Sequence, residues 1–178
     1  MNQQEIKCPD RSLRKSAEEG NVAAKYLYAL QCSDPKERRR WLKEAAEAGY
    51  IPAMCDYALS CDDVHERKHW LREAAYEGHV HAIYSYALEC SVPDQRRRWL
   101  KQAAEAGNVE AMYTYSQECE DPTEAMYWLR KTAWEGHVQG MYDYATHCDD
   151  LNERRWWLIR AANQGSEVAV EALDAPCG

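Results

Sequence analysis

The chain repeats itself every 29 residues, and no other feature restricts its possible folds so strongly. The segment Trp-Leu-x-x-Ala-Ala-x-x-Gly recurs with tryptophans at Trp41, Trp70, Trp99, Trp128 and Trp157, Thr132 taking one alanine place. Glycines close the units at Gly20, Gly49, Gly78, Gly107, Gly136 and Gly165, and cysteines keep the same step at Cys32, Cys61, Cys90, Cys119, Cys148 and Cys177. A period of this size belongs to chains whose units bury their apolar faces only against their neighbours. Most of the sequence is thereby committed to structure, which argues against an enzyme.

Each unit reads as two helices. In the unit from Tyr50 to Gly78, the run Ile51 to Cys61 carries apolar residues at helical spacing. A two-residue turn, Asp62-Asp63, leads to a second helix from Val64 to Glu77 with Trp70, Leu71, Ala74 and Ala75 as its apolar stripe. Asp34, Asp63, Asp121 and Asp150 precede the second helix, with Glu37, Glu66, Glu124 and Glu153 three residues on, which is the spacing of a capping box. Ser91 takes the cap role in the unit that lacks the aspartate. Pro35, Pro93 and Pro122 fit the first helical turn, and the glycines fit left-handed C-terminal caps.

The expected fold is therefore all-α: a right-handed α-α superhelix (solenoid) of stacked antiparallel helix pairs, with about twelve helices. Residues 1–9 are expected to be frayed, and 10–178 to form a single solenoid. Its parts are a half repeat at 10–20, full repeats at 21–49, 50–78, 79–107, 108–136 and 137–165, and a capping helix at 166–178. Glu167, Glu171 and Asp174 would give that last helix a polar outer face.

A net charge of −8 suits a water-soluble chain and argues against nonspecific nucleic-acid binding, which needs a basic footprint. The polar start, Met1 to Lys7, resembles neither a signal peptide nor a membrane span, so the cytoplasm is the expected compartment. Equivalent cysteines on stacked helices lie roughly 10 Å apart, too far for a disulfide, so the ladder reads as reduced, buried thiols. Cys61, His65 and His69 have possible metal-ligand spacing but no fourth ligand, and His147-Cys148 belongs to the packing ladder. No metal, cofactor or catalytic residue is expected.

The units resemble Sel-one-like repeats (SLR), relatives of the tetratricopeptide repeat. Trp41-Leu42-Lys43-Glu44-Ala45-Ala46-Glu47-Ala48-Gly49 is close to the family's W-Y-x-K-A-A-E-x-G. Ala82, Tyr84, Tyr86, Ala87 and Cys90 occupy the places of A-x-Y-x-L-G-x-x-Y, with Tyr for Leu, Ala for Gly and Cys for the last Tyr. The family's inter-helix loop is longer and contains glycine, whereas here a short turn replaces it. The resemblance implies an adaptor, scaffold or inhibitor of the immunity-protein kind, with first helices lining a concave surface that binds another protein or peptide.

Positions that vary between units mark where such a partner would sit. In the first helices these are the third, seventh and eleventh places, one helical stripe. Besides Pro52, they hold Asp56, Ser60, His81, Ser85, Glu89, Glu110, Thr114, Glu118, Gln139, Asp143 and His147. A second candidate is an aromatic patch of Tyr127, Trp134 and Trp156. The clusters Arg38-Arg39-Arg40, Arg67-Lys68-His69 and Arg96-Arg97-Arg98 are read as pairing with acids such as Glu37, Glu44 and Glu66. Alternatives from other classes are an RNA-binding repeat that uses those arginines and a redox or metal sensor built on the cysteines. The expected state is a monomer or weak homodimer that binds no membrane.

Overall fold

The computed structural model describes residues 11–174, which form twelve α-helices and no strands. In order these are α1 (Arg11–Glu18), α2 (Val22–Gln31), α3 (Pro35–Glu47), α4 (Ile51–Leu59), α5 (Val64–Tyr76) and α6 (Val80–Leu88). They are followed by α7 (Pro93–Glu105), α8 (Val109–Glu118), α9 (Pro122–Trp134), α10 (Val138–His147), α11 (Leu151–Asn163) and α12 (Glu167–Asp174). The expected frayed segment 1–9, the starting residue Asp10 and the last ladder cysteine Cys177 lie outside the described residues. The chain divides into two compact units, Met1–Glu89 with α1 to α6 and Cys90–Gly178 with α7 to α12.

Within each unit, every helix packs against the helices before and after it in sequence. Small side chains allow this. Ala17, Ala29, Ala45, Ala53, Ala58 and Ala74 are fully buried in the first unit, as are Ala103, Ala111, Ala133, Ala145 and Ala161 in the second. Tyrosine and tryptophan fill the space between them. Tyr28 meets Trp41 edge to face at 5.6 Å, Tyr57 meets Trp70 at 5.9 Å, Tyr115 meets Trp128 at 6.1 Å and Tyr144 meets Trp157 at 5.6 Å. Such tilted pairs match the positive edge of one ring to the negative face of the other.

The helix ends follow the local chemistry. The Asp63 side chain accepts from the Glu66 N–H at 2.8 Å, and Asp150 accepts from Asn152 and Glu153 at 2.7 and 3.0 Å. Each such cap contributes about 1 kcal/mol. Gly49 and Gly78 take φ of +87° and +81°, where a side chain would strain the backbone, and their N–H groups bond back to Ala46 and Ala75.

Three expectations about helix ends need correction. The cap of α7 is Val92, with no side-chain bond, and not Ser91, because Pro93 takes the first helical position and leaves the cap to the residue just before it. The α4 helix ends at Leu59, so Cys61 lies in the turn. The glutamates of the expected capping box serve a different purpose. Glu37, Glu66 and Glu153 accept the hydroxyls of Tyr28, Tyr57 and Tyr144 at 3.2, 2.8 and 3.1 Å, tying the two helices of each pair together.

Candidate functional site

The first-helix stripe is described one unit at a time. In the first, Asp56 is half-buried and accepts the Tyr26 hydroxyl at 3.0 Å, while Ser60 donates to the Tyr57 carbonyl at 2.6 Å. Glu89 pairs with Arg67 at 2.9 Å. His81 is exposed and Ser85 half-buried. In the second unit, Asp143 accepts from Tyr113 at 2.8 Å and from Gln139 at 2.8 Å, and Glu118 pairs with Arg96 at 2.8 Å. Glu110 is exposed, 3.5 Å from His137, and Thr114 donates to the Glu110 carbonyl at 2.8 Å. His147 is exposed, with its ring nitrogen 2.7 Å from the Asp143 carbonyl.

Four acids of the stripe thus join one repeat to another. Tyr26–Asp56 and Tyr113–Asp143 are the same contact, one repeat plus one residue apart in sequence. Burial and the carboxylate acceptor push Tyr26 and Tyr113 up to about 12. Arg67–Glu89 and Arg96–Glu118 are likewise one contact made twice. Varying from unit to unit did not leave these four positions uncommitted. The exposed members of the stripe are His81, Glu110, Gln139 and His147.

Of the expected aromatic patch, the structure brings Trp134 and Trp156 into contact in the second unit, while Tyr127 makes its ring contact with Trp128 instead. Trp134 at the end of α9 is 55% exposed and Trp156 on α11 is 47% exposed, with their rings 5.7 Å apart. Both rest on buried Trp157, at 5.0 and 4.6 Å. The Arg160 guanidinium stands over all three rings at 5.3 to 5.7 Å. Tyr127 is 59% exposed and packs edge-on against Trp128 at 5.3 Å. The two indoles form a half-exposed aromatic face with a cation stacked against it.

The basic clusters of the second helices are largely engaged. Arg40 reaches Glu44 at 4.0 Å, an acid expected from sequence. The other partners differ from that expectation: Arg39 pairs with Asp62 at 3.3 Å and Arg97 with Asp94 at 2.6 Å and with Glu120. Arg38 and Arg154 donate to the carbonyls of Cys32 and Cys148, each at 2.7 Å, and so close the C-termini of α2 and α10. Residue reading also missed the histidine caps. His79 and His137 accept the N–H groups of Ala82 and Gly140 through Nδ1, in the place that Asn21 and Asn108 fill elsewhere. That shared place was the available signal. Burial, with His81 nearby, pulls the His79 pKa down.

The ladder thiols Cys32, Cys61 and Cys148 are buried, and burial pushes their pKa values up. Cys119 is half-buried. Among the described residues no group of three or more His, Cys, Asp or Glu is placed to hold a metal ion, and no helix is long and apolar enough to cross a membrane.

No protein-family model matches the chain, and no curated protein matches it in sequence. Solved structures do. A Sel1 repeat protein from Oxalobacter formigenes superposes with a TM-score of 0.77 at 20% identity, covering 87% of this chain and 78% of that one. The protein c5321, a protective antigen present in uropathogenic Escherichia coli strains displaying an SLR fold, gives 0.80 at 21% identity, covering 90% of this chain and 42% of its own. A Sel1 repeat protein from Klebsiella pneumoniae subsp. pneumoniae gives 0.57 at 15% identity, over 94% and 98%. The fold of this chain is therefore the SLR fold, an all-α helical repeat of the solenoid class.

Proposed function

We propose that the chain is a noncovalent protein-recognition module, an adaptor, scaffold or inhibitor, whose anchor is the Trp134–Trp156 face of the second unit. The observation that carries this reading is the exposure of two adjacent indoles in contact with Trp157 and Arg160. Burying such rings on a partner gains apolar area at little cost in side-chain entropy, and tryptophan, tyrosine and arginine dominate binding hot spots. Tyr127 extends the apolar surface along α9, while Glu110, Gln139 and His147 offer polar contacts from the first helices of the same unit. The SLR fold supports the class of function, since repeats of this kind present large surfaces and need no catalytic group.

Of the remaining stripe residues, Asp56, Glu89, Glu118 and Asp143 serve this reading by fixing one repeat on another, while Ser60 and Thr114 bond within their own helices and Ser85 is half-buried. His81 stands exposed in the first unit as a further polar contact. The test is affinity capture from host lysate, with nuclease treatment, using the wild type and a Trp134→Ala/Trp156→Ala variant. The expected result is one stoichiometric protein that the variant fails to retain. Equal recovery by both proteins would remove the aromatic face from the reading, and recovery of nuclease-sensitive material alone would replace protein recognition with RNA binding through the arginines.

A further inference from the structure

The second helices α3, α5 and α7 place mostly basic residues at the same four positions of the repeat, Asp94 being the acidic exception, and the α5 set faces a cleft with no carboxylate in its lining. On α3 the residues are Lys36, Arg39, Arg40 and Lys43; on α5, His65, Lys68, His69 and Arg72; on α7, Asp94, Arg97, Arg98 and Lys101. Beside α3, Arg39 pairs with Asp62 and Lys43 with Glu66 at 3.8 Å. Beside α7 lies a cleft of about 360 Å³ where Arg97 pairs with Asp94 and Glu120, and Lys101 with Glu124 at 2.8 Å. These two places carry their own counter-charges.

The cleft between α5 and α6 does not. It measures about 210 Å³ and is lined by His65, Lys68, His69 and Arg72 of α5 and by Tyr86 of α6, with no carboxylate among these residues. The neighbouring acids have other duties. Asp63 caps α5, Glu89 pairs with Arg67, and Lys68 reaches only the backbone carbonyl of Glu89, at 3.1 Å. Arg72 meets Glu73, the next residue on its own helix, at 3.2 Å with both side chains over 40% exposed, an arrangement that contributes little. Two permanent cations and two imidazoles therefore converge on a space with no anion lining it.

We propose that this cleft is a binding site for a phosphoryl group. Its volume lies below the ~300–1,000 Å³ of sites for drug-sized ligands, so the occupant is small. A tetrahedral dianion accepts from several donors at once. The Arg72 fork and the Lys68 ammonium supply charge-assisted bonds, and the imidazole N–H groups of His65 and His69 add two more. A single carboxylate would leave part of this donor set unmatched. The inference goes beyond protein recognition, since the site is complete within one unit and is read without any partner.

The test titrates inorganic phosphate into the full chain at constant ionic strength and follows the imidazole resonances of His65 and His69 by NMR. The expected result is a saturable shift of both, with affinity reduced by roughly tenfold or more in Lys68→Gln/Arg72→Gln. Arg97→Gln, in the self-neutralised cleft beside α7, should retain wild-type affinity, as should the charge-conserving Lys68→Arg. A linear, unsaturated shift, or equal affinity in the double variant, would overturn the proposal. Because the chain is titrated alone, a failure here leaves the protein-recognition reading standing.

Discussion

In α2 and α3 the rings of Tyr28 and Trp41 meet edge to face at 5.6 Å, Tyr28 bonds to Glu37, and Arg38 closes α2 on the Cys32 carbonyl. In α10 and α11, Tyr144 and Trp157 meet at the same 5.6 Å, Tyr144 bonds to Glu153, and Arg154 closes α10 on the Cys148 carbonyl. One places Arg40 over the Trp41 ring, at 5.0 Å, where the other has Trp156 lying on Trp157. Glu47 closes α3, whereas the same place on α9 holds Trp134. The interior of the repeat stays constant because each unit must fit its neighbours. The outer face varies because less of the packing depends on it, and there a charged surface becomes an aromatic one.

That comparison is easiest to break at the tryptophans. Trp157→Ala should cost about 3–5 kcal/mol in chemical denaturation, and Trp41→Ala a similar amount, because both rings are buried. Trp156→Ala, one residue away and half exposed, should cost only about 1 kcal/mol, the worth of its ring contacts. If Trp156→Ala were as damaging as Trp157→Ala, the outer ring would be a packing residue and the division between faces would fail.

A smaller effect is expected at the glycine caps. Gly49→Ala in the first unit and Gly136→Ala in the second should each destabilise by about 1–2 kcal/mol, since φ is +87° and +94° and an L side chain is strained there. No neighbouring atom lies within 4 Å of the added Cβ at either site, so the loss reports backbone strain alone. Markedly unequal losses would show that the two units do not share one cap geometry.

Alkaline titration sharpens the comparison further. Burial pushes Tyr26 in the first unit and Tyr113 and Tyr144 in the second up to about 12 from an ordinary 10.0. The folded chain then holds these protons where the unfolded chain has released them. Their contribution is complete below pH 10 and is lost as the pH rises towards 12. Stability measured across that window should fall with rising pH, and the fall should be shallower in Tyr26→Phe and Tyr113→Phe. A slope unchanged by both variants would refute the assignment.

The smallest effect concerns one thiol. The place that holds Arg38 and Arg154 in other repeats is Ala125 after Cys119, which has no guanidinium to lay on the Cys119 carbonyl. The Cys119 thiol lies 3.6 Å from the Asp121 carbonyl, whereas Cys61 and Cys148 turn inward to Tyr57 and Tyr144. Brief alkylation mapped by mass spectrometry should mark Cys119 before Cys32, Cys55, Cys61 and Cys148. Labelling of those four at equal rates would show that the ladder is open to solvent and would revive a cysteine sensor.

The helices were legible in the sequence because their signals are local. Gly78 ends α5 and Asp63 begins it through bonds that span three to five residues. The partners of the polar residues were less legible because they lie far along the chain. Glu66 at three residues from Asp63 reads as a capping box, yet the Tyr57 hydroxyl, nine residues back across the turn, claims its carboxylate. Asp56 and Glu89 read as open surface, because helical spacing does not show that Tyr26 stands 30 residues before one and Arg67 22 residues before the other. Co-occurrence across repeats held part of that information, since Glu89 and Glu118 stand where Arg67 and Arg96 precede them. The aromatic patch was legible at Trp134 and Trp156, and its cation, Arg160, was not, since a lone arginine on a basic stripe carries no signal of ring contact.

The most direct test of the central claim is a hydroxyl-radical footprint of the chain, free and bound to the partner recovered by affinity capture. The account predicts that Trp134, Trp156 and Tyr127 are oxidised in the free chain and protected in the complex, while Tyr76, exposed in the other unit, oxidises equally in both. Unchanged oxidation of Trp134 and Trp156 in the complex, with protection at His81 or His147 instead, would contradict it and return recognition to the first-helix stripe.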